Sequence, residues 1–109
     1  MGAPQVITDE AAHDEVLRSH SRVLIGFTAR GCGPCLQVIP VLEDIGRAQP
    51  EGLHVVLVDV DDHPHLKDRY SVRSLPTTLY FRDGGLRATV VGVRTRRQLL
   101  AAADISSED

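Results

Sequence analysis

This chain of 109 residues predicts an α/β domain in which a helix joins a pair of parallel strands and an antiparallel hairpin follows. Three observations carry that expectation. Two apolar runs, residues 23–28 and 53–60, have the character of strands covered on both faces. Between them Cys35, Leu36, Val38, Ile39, Leu42 and Ile45 recur at helical spacing, and strand, helix, strand in this order implies a right-handed parallel crossover. Asp83, Gly84 and Gly85 then supply hairpin chemistry between strands 77–81 and 86–91.

Val6 and Ile7 open the chain as an apolar pair suited to a short edge strand. Thr8 reads as an N-cap, with Asp9 and Glu10 in the favourable first turn. Ala11, Ala12, Val16 and Leu17 give the helix that follows an apolar face to about Ser19, which leaves His13 and His20 at the surface. The strand at 23–28 is next. The helix after it extends to about Ala48, and Pro40 kinks it rather than ends it because the apolar period resumes beyond. Pro50, Glu51 and Gly52 punctuate the chain before strand 53–60. Asp61, Asp62, His63 and Pro64 start a short helix to about Tyr70, and Ser74, Leu75 and Pro76 lead into the hairpin that Gly92 ends. Thr95 and Gln98 form a capping box for a last helix bearing Leu99, Leu100 and Ala103. Residues 1–109 make one domain, with 104–109 as a frayed acidic tail.

The two cysteines of the chain, Cys32 and Cys35, follow the strand at 23–28 at once and open the central helix, with Gly33 and Pro34 between them. The first turn of a helix has backbone N–H groups without partners, and the macrodipole adds positive potential there. A thiolate in that place is favoured over the thiol and attacks disulfides near neutral pH. Cys32 at the cap is therefore the nucleophile, and Cys35, one turn inward, is the resolving thiol. Pro34 suits the first helical positions because its missing N–H has no helix partner to lose, and Gly33 puts no side chain in the way of a substrate. A structural zinc or iron–sulfur site takes about four ligands, of which two cysteines supply half. His54, His63 and His65 lie far along the chain, and His63 and His65 read as a solvated helix entry. A purely structural disulfide over so short a loop constrains the unfolded chain little. Dithiol redox chemistry is the reading that fits the strand–helix setting.

Composition narrows the function classes. Hydrophobic residues at 42% and charged residues at 25% describe an ordinary globule, and a net charge of −3 offers no electrostatic case for nucleic acid as a partner. No apolar segment approaches the roughly 20 residues that span a bilayer. The start lacks a basic-then-apolar leader pattern, which makes the cytoplasm the default location.

With those residues in view, the chain resembles the thioredoxin family over nearly its whole length. The resemblance is carried by Cys32-Gly33-Pro34-Cys35 after a buried strand, by Pro40 in the next helix, by Leu75-Pro76-Thr77, and by Gly84 and Gly92 around the hairpin. It implies a thioredoxin fold: a central mixed sheet of about five strands flanked by four helices. It implies that Cys32 and Cys35 are catalytic and that Pro76 is a cis-proline facing them. Gly31, Gly33, Pro34, Leu75, Gly92 and Val93 fall where the family forms its shallow substrate groove. The implied activity is protein-disulfide reduction through a mixed disulfide, with no bound cofactor beyond the Cys32–Cys35 pair and no metal. The implied partners are protein disulfides and a thioredoxin-reductase-like electron donor, for a monomer that binds neither nucleic acid nor membrane.

The chain also departs from the family pattern. The acidic residue usually buried beneath the second cysteine is Gly26, and the lysine many bacterial members pair with it is Leu57. Losing both together is coherent, because one partner left alone is a costly unpaired charge. The tryptophan before the first cysteine is Gly31, the basic residue after the second is Leu36, and Arg30 and Arg73 flank the site instead. Those two arginines are expected to stabilise the Cys32 thiolate and to favour acidic partners. The departures also raise an alternative, a thioredoxin-fold binding or assembly module of one pathway with residual reductase activity.

Overall fold

The side chains from Val23 to Ile25 and that of Phe27 are wholly withdrawn from solvent, and the sheet is built around them. The computed structural model describes residues 5–6 and 9–106. Strand β1 (Gln5–Val6) is followed by α1 (Glu10–Ser19), β2 (Arg22–Thr28), α2 (Cys35–Ala48), β3 (His54–Asp59), α3 (Pro64–Arg69), β4 (Thr77–Arg82), β5 (Gly85–Val91) and α4 (Arg96–Ala102). The strands form one sheet in the order β1-β3-β2-β4-β5. β1, β3 and β2 run parallel, while β4 is antiparallel to both β2 and β5. This is the mixed sheet that the resemblance implies.

Alternation along β2 divides the core in two. Val23, Ile25 and Phe27 pack with Val16 of α1 and Leu66 of α3 on one face. Leu24 packs on the other face with Val38, Leu42 and Ile45 of α2 and with Leu99 and Leu100 of α4. A strand covered on both faces must be apolar at consecutive positions, which is why β2 carries no polar–apolar alternation. Each fully buried Leu, Ile or Phe contributes about 1.5–3 kcal/mol, so a polar substitution within β2 weakens both halves of the core. Pro40 lies inside α2 without ending it. No helix among the described residues is long and apolar enough to cross a membrane.

Several local expectations need correction. The N-cap of α1 is Asp9, whose Oδ1 accepts the Ala12 N–H at 2.7 Å; Ile7 and Thr8 lie outside the described residues. Ile105 does not fray: it is 4% exposed, packs beside α2 and α4, and donates its N–H to the Leu100 carbonyl at 2.9 Å. The capping box of Thr95 and Gln98 forms as expected.

His13 is not at the surface but fully buried, its Nε2 2.7 Å from the Tyr70 hydroxyl and its ring near those of Tyr70 and Phe81. Its Nδ1 is buried without a partner. His20 is half-buried and stacks on His54, with ring centroids 3.9 Å apart. Burial, aided by the nearby Arg69 charge, holds the His13 pKa below its ordinary value, and burial, aided by His20, does the same for His54. A depressed histidine pKa means that the unfolded chain takes up protons first as pH falls. Their contribution to stability is thus fully present above the ordinary value of about 6.5 and is lost as pH drops through it. Thermal unfolding between pH 7.5 and pH 5 should show a falling midpoint. His13→Phe should start less stable, by about 1 kcal/mol for the hydrogen bond lost by Tyr70, yet fall less steeply; parallel curves for the two proteins would remove His13 as a cause.

Candidate active site

Strand register gathers the site at one end of the sheet. The last residue of β2, Thr28, stands opposite Asp59 at the end of β3, and the Val60 N–H bonds to the Thr28 carbonyl at 2.9 Å. β4 runs the other way, so Thr77 at its start lies opposite Phe27. Val91 at the end of β5 faces Thr77 in turn. The loop at 29–34, the Leu75–Pro76 turn and the Gly92–Val93 turn therefore meet at the C-terminal end of β2. The Leu75–Pro76 bond is cis, Pro76 is buried, and its carbonyl accepts the Gly92 N–H at 2.8 Å. Gly92 has φ +93°, a conformation that β-carbon-bearing residues rarely adopt, so the turn that ends β5 requires glycine.

Cys32 and Cys35 are joined as a disulfide, with Cα atoms 5.4 Å apart. Their exposure is unequal: Cys32 is half-buried, whereas Cys35 is 1% exposed and belongs to the core. Helix α2 begins at Cys35 with Pro34 at its cap position, so Cys32 sits ahead of the cap and not on it. Pro34 offers no capping oxygen, and the Cys35 N–H instead points at Cys32 Sγ, 3.3 Å away. The sulfur thus takes the place of a capping acceptor. A helix-start N–H that would otherwise lack a partner stabilises negative charge on Cys32.

A cleft of about 380 Å³ lies against both sulfurs. Its walls include Arg30, Gly31, Cys32, Gly33 and Cys35, together with Thr28, Ala29, Leu36, Ile39 and Asp59. Pro34, Leu75, Pro76, Gly92 and Val93 do not line it. The Arg30 guanidinium reaches Asp62 at 2.9 and 3.2 Å and Asp59 at 3.3 Å. Hydrogen bonding to Asp62, reinforced by the Asp59 charge, raises its pKa, and the same bond lowers that of Asp62. Arg30 is therefore bound to two carboxylates rather than presented to the thiolate. Arg73 lies apart from the cleft, in a surface depression with Lys67, Asp68, Ser71 and Val72.

Asp59, Thr28 and Ile39 are site residues that sequence patterns alone did not flag. For Thr28 and Asp59 the signal was the register of the two buried strands, since Thr28 follows Gly26 and Asp59 follows Leu57 by two residues on the same face of the sheet. Among the described residues no three His, Cys, Asp or Glu side chains converge on a point where a metal ion would sit.

At Gly26, where the resemblance implies a buried acid, the space is filled with hydrocarbon. Gly26 pairs with Leu57 across β2 and β3. A Cβ at Gly26 would overlap Leu42 Cδ1, a side chain with no exposure, and would touch Leu57 Cδ2 at 3.4 Å.

A family model described as Thioredoxin matches residues 3–105. The chain is 37% identical over 98 residues to the thioredoxin of Acidithiobacillus ferridurans, covering 90% of this chain and 91% of that one. It is 36% identical over 104 residues to thioredoxin 1 of Synechococcus elongatus, covering 95% of this chain and 97% of that one. Among solved structures, a mutant thioredoxin from Halobacterium salinarum superposes with a TM-score of 0.86 at 31% identity, over 94% of this chain and 88% of that one.

The packing at Gly26 is open to test by substitution. Gly26→Asp should lower stability by about 2 kcal/mol or more, because it overpacks the core and buries a carboxylate without a partner. Leu42→Ala should also be destabilising alone, by about 2–5 kcal/mol. In the double variant the two losses should partly cancel, which urea midpoints would show as a favourable coupling; strictly additive losses would mean that Leu42 does not occupy the acid's place.

Proposed function

This chain belongs to the thioredoxin family and is a protein thiol–disulfide oxidoreductase, and we propose that Cys32 is its attacking sulfur and Cys35 its resolving one. The carrying observation is the unequal exposure of the two sulfurs at the start of α2. The reduced Cys32 thiolate attacks one sulfur of a client disulfide, forms a mixed disulfide and releases the other client sulfur as a thiolate. Cys35 gives up its proton and displaces the remaining client sulfur from Cys32, which closes the Cys32–Cys35 disulfide. The client disulfide gains two electrons, and the cysteine pair loses them. Pro76, with Leu75, Gly92, Val93, Gly31, Gly33 and Pro34, forms the surface along which the client backbone lies. Positive potential on the Cys32 sulfur comes from the start of α2. Arg30 acts by tying Asp59 to Asp62, and Arg73 adds only long-range attraction.

The clients are protein disulfides, and electrons come from a thioredoxin-reductase-like donor. The dithiol is the only redox group required, and the protein works as a monomer in the cytoplasm, where reduced thiols are maintained. With Leu42 and Leu57 where an acid would stand, Cys35 has no buried carboxylate to receive its proton. Resolution is then slower and more pH-dependent than with such an acid in place.

Substitution at each sulfur checks the assignment. Cys35→Ser should accumulate a stable mixed disulfide with a client, visible by non-reducing electrophoresis, and Cys32→Ser should give none. In insulin reduction coupled to a thioredoxin reductase, the unaltered protein should turn over steadily, at a rate that climbs with pH through the neutral range. Trapping by Cys32→Ser instead would reverse the roles, and negligible turnover would favour an assembly module.

A further inference from the structure

The reaction just described uses the sulfurs, the glycines beside Cys32 and the Pro76 side of the site, and it leaves the part of the cleft walled by Thr28, Leu36 and Ile39 without a task. We propose that this cleft is a specificity site which seats a large apolar side chain, an aromatic ring in particular, carried by the client next to its reacting cysteine. The proposal rests on Cys32 being the attacking sulfur.

Continuity comes first. Cys32 and Cys35 are part of the cleft wall. Consecutive Cα atoms lie 3.8 Å apart, so a client cysteine bonded to Cys32 has its neighbouring residues within reach of the space beside it. The mouth is open: a Cβ added at Gly31 or Gly33 would meet nothing within 4 Å. Lining chemistry comes next. Leu36 and Ile39 of α2 present hydrocarbon side by side on the cleft wall, and Leu36 is 72% exposed, so an apolar group seated there removes hydrocarbon from water. A volume of about 380 Å³ is at the small end for ligand sites, enough for one ring but not for a folded element.

Charge selects against the alternatives. Asp59 is the carboxylate on the cleft wall, and the Arg30 guanidinium beside it is already bonded to Asp59 and to Asp62, so no unshared positive charge is offered to a client. A client carboxylate is repelled there. An uncharged ring meets no such penalty and can stack on the flat guanidinium. This reverses the expectation that Arg30 draws acidic clients.

The test uses the dithiothreitol-reduced protein in single turnover, with two peptide disulfides that differ only in bearing Phe or Gly on both sides of the cysteine. The rate of peptide-thiol release should be about tenfold higher for the Phe peptide. Thr28→Trp, which fills the cleft, should bring the ratio of the two rates close to one. Leu36→Ser should reduce the ratio at least twofold, and its exposed position keeps folding out of the result. Because both peptides meet the same sulfur, the ratio is blind to any change in thiolate content. A ratio near one in the unaltered protein, or an unchanged ratio in both variants, overturns the specificity site. Glutathione disulfide is the third substrate: if Thr28→Trp slows it while sparing the Phe peptide, the cleft serves small disulfides and the proposal is wrong. Failure of all three substrates to react removes the Cys32 reading itself.

Discussion

Pairing of β2 with β3 on one side and β4 on the other decides where every loop of the site begins. The pairs Thr28–Asp59 and Phe27–Thr77 end those ladders at one level. The dithiol loop, the acidic turn after β3 and the Leu75–Pro76 turn are therefore neighbours by register, whatever their own sequences. Register is held firmly because β2 is buried on both faces, and a slip of one residue would send Val23, Ile25 and Phe27 into the space of Leu24 and Gly26. The loops of the reactive end thus take their positions from the two-sided core that fixes the strand register.

The same core explains how the chain manages without a charge beneath its second sulfur. A buried ion pair costs desolvation that its attraction barely repays, and exchange for well-packed apolar groups is often neutral or stabilising. Gly26, Leu42 and Leu57 are such an exchange: the absence of a side chain at one position makes room for a leucine from α2. Stability and proton transfer are thereby separated. The fold gains hydrocarbon contacts at Gly26, while Cys35 is 1% exposed and belongs to the core.

The sheet, its helices and the dithiol were legible because each rests on periodicity or on residues with one structural use. Continuous apolar runs mark β2 and β3, and Cys-Gly-Pro-Cys marks the start of α2. What sequence alone misjudged were side chains whose fate depends on distant partners. His13 reads as polar, yet the space between α1 and the sheet is completed by Tyr70, 57 residues away, whose hydroxyl makes burial of the ring acceptable. His20 is half-covered by His54 of β3. Ile105 looked like a tail because no apolar period surrounds it, but one hydrogen bond to Leu100 folds it onto the core. Arg30 looked free because its carboxylate partners lie about 30 residues on, beyond any local pattern. In each case a local rule was overridden by a tertiary contact.

Gly31 joins these threads. Read as a sequence, it is a missing side chain at the lip of the substrate groove. In the structure it has φ +82°, a region that disfavours any residue with a Cβ. The opening beside Cys32 is then a property of the backbone turn as much as of composition, and restoring a bulky residue there would strain the loop that presents the sulfur. Open space at that point is thus bound to the shape of the loop, and the cleft it exposes is a fixed feature of this chain's chemistry. A substitution that enlarges the cleft from inside its wall, such as Ile39→Ala, alters shape without touching that turn, whereas any change at Gly31 alters both at once.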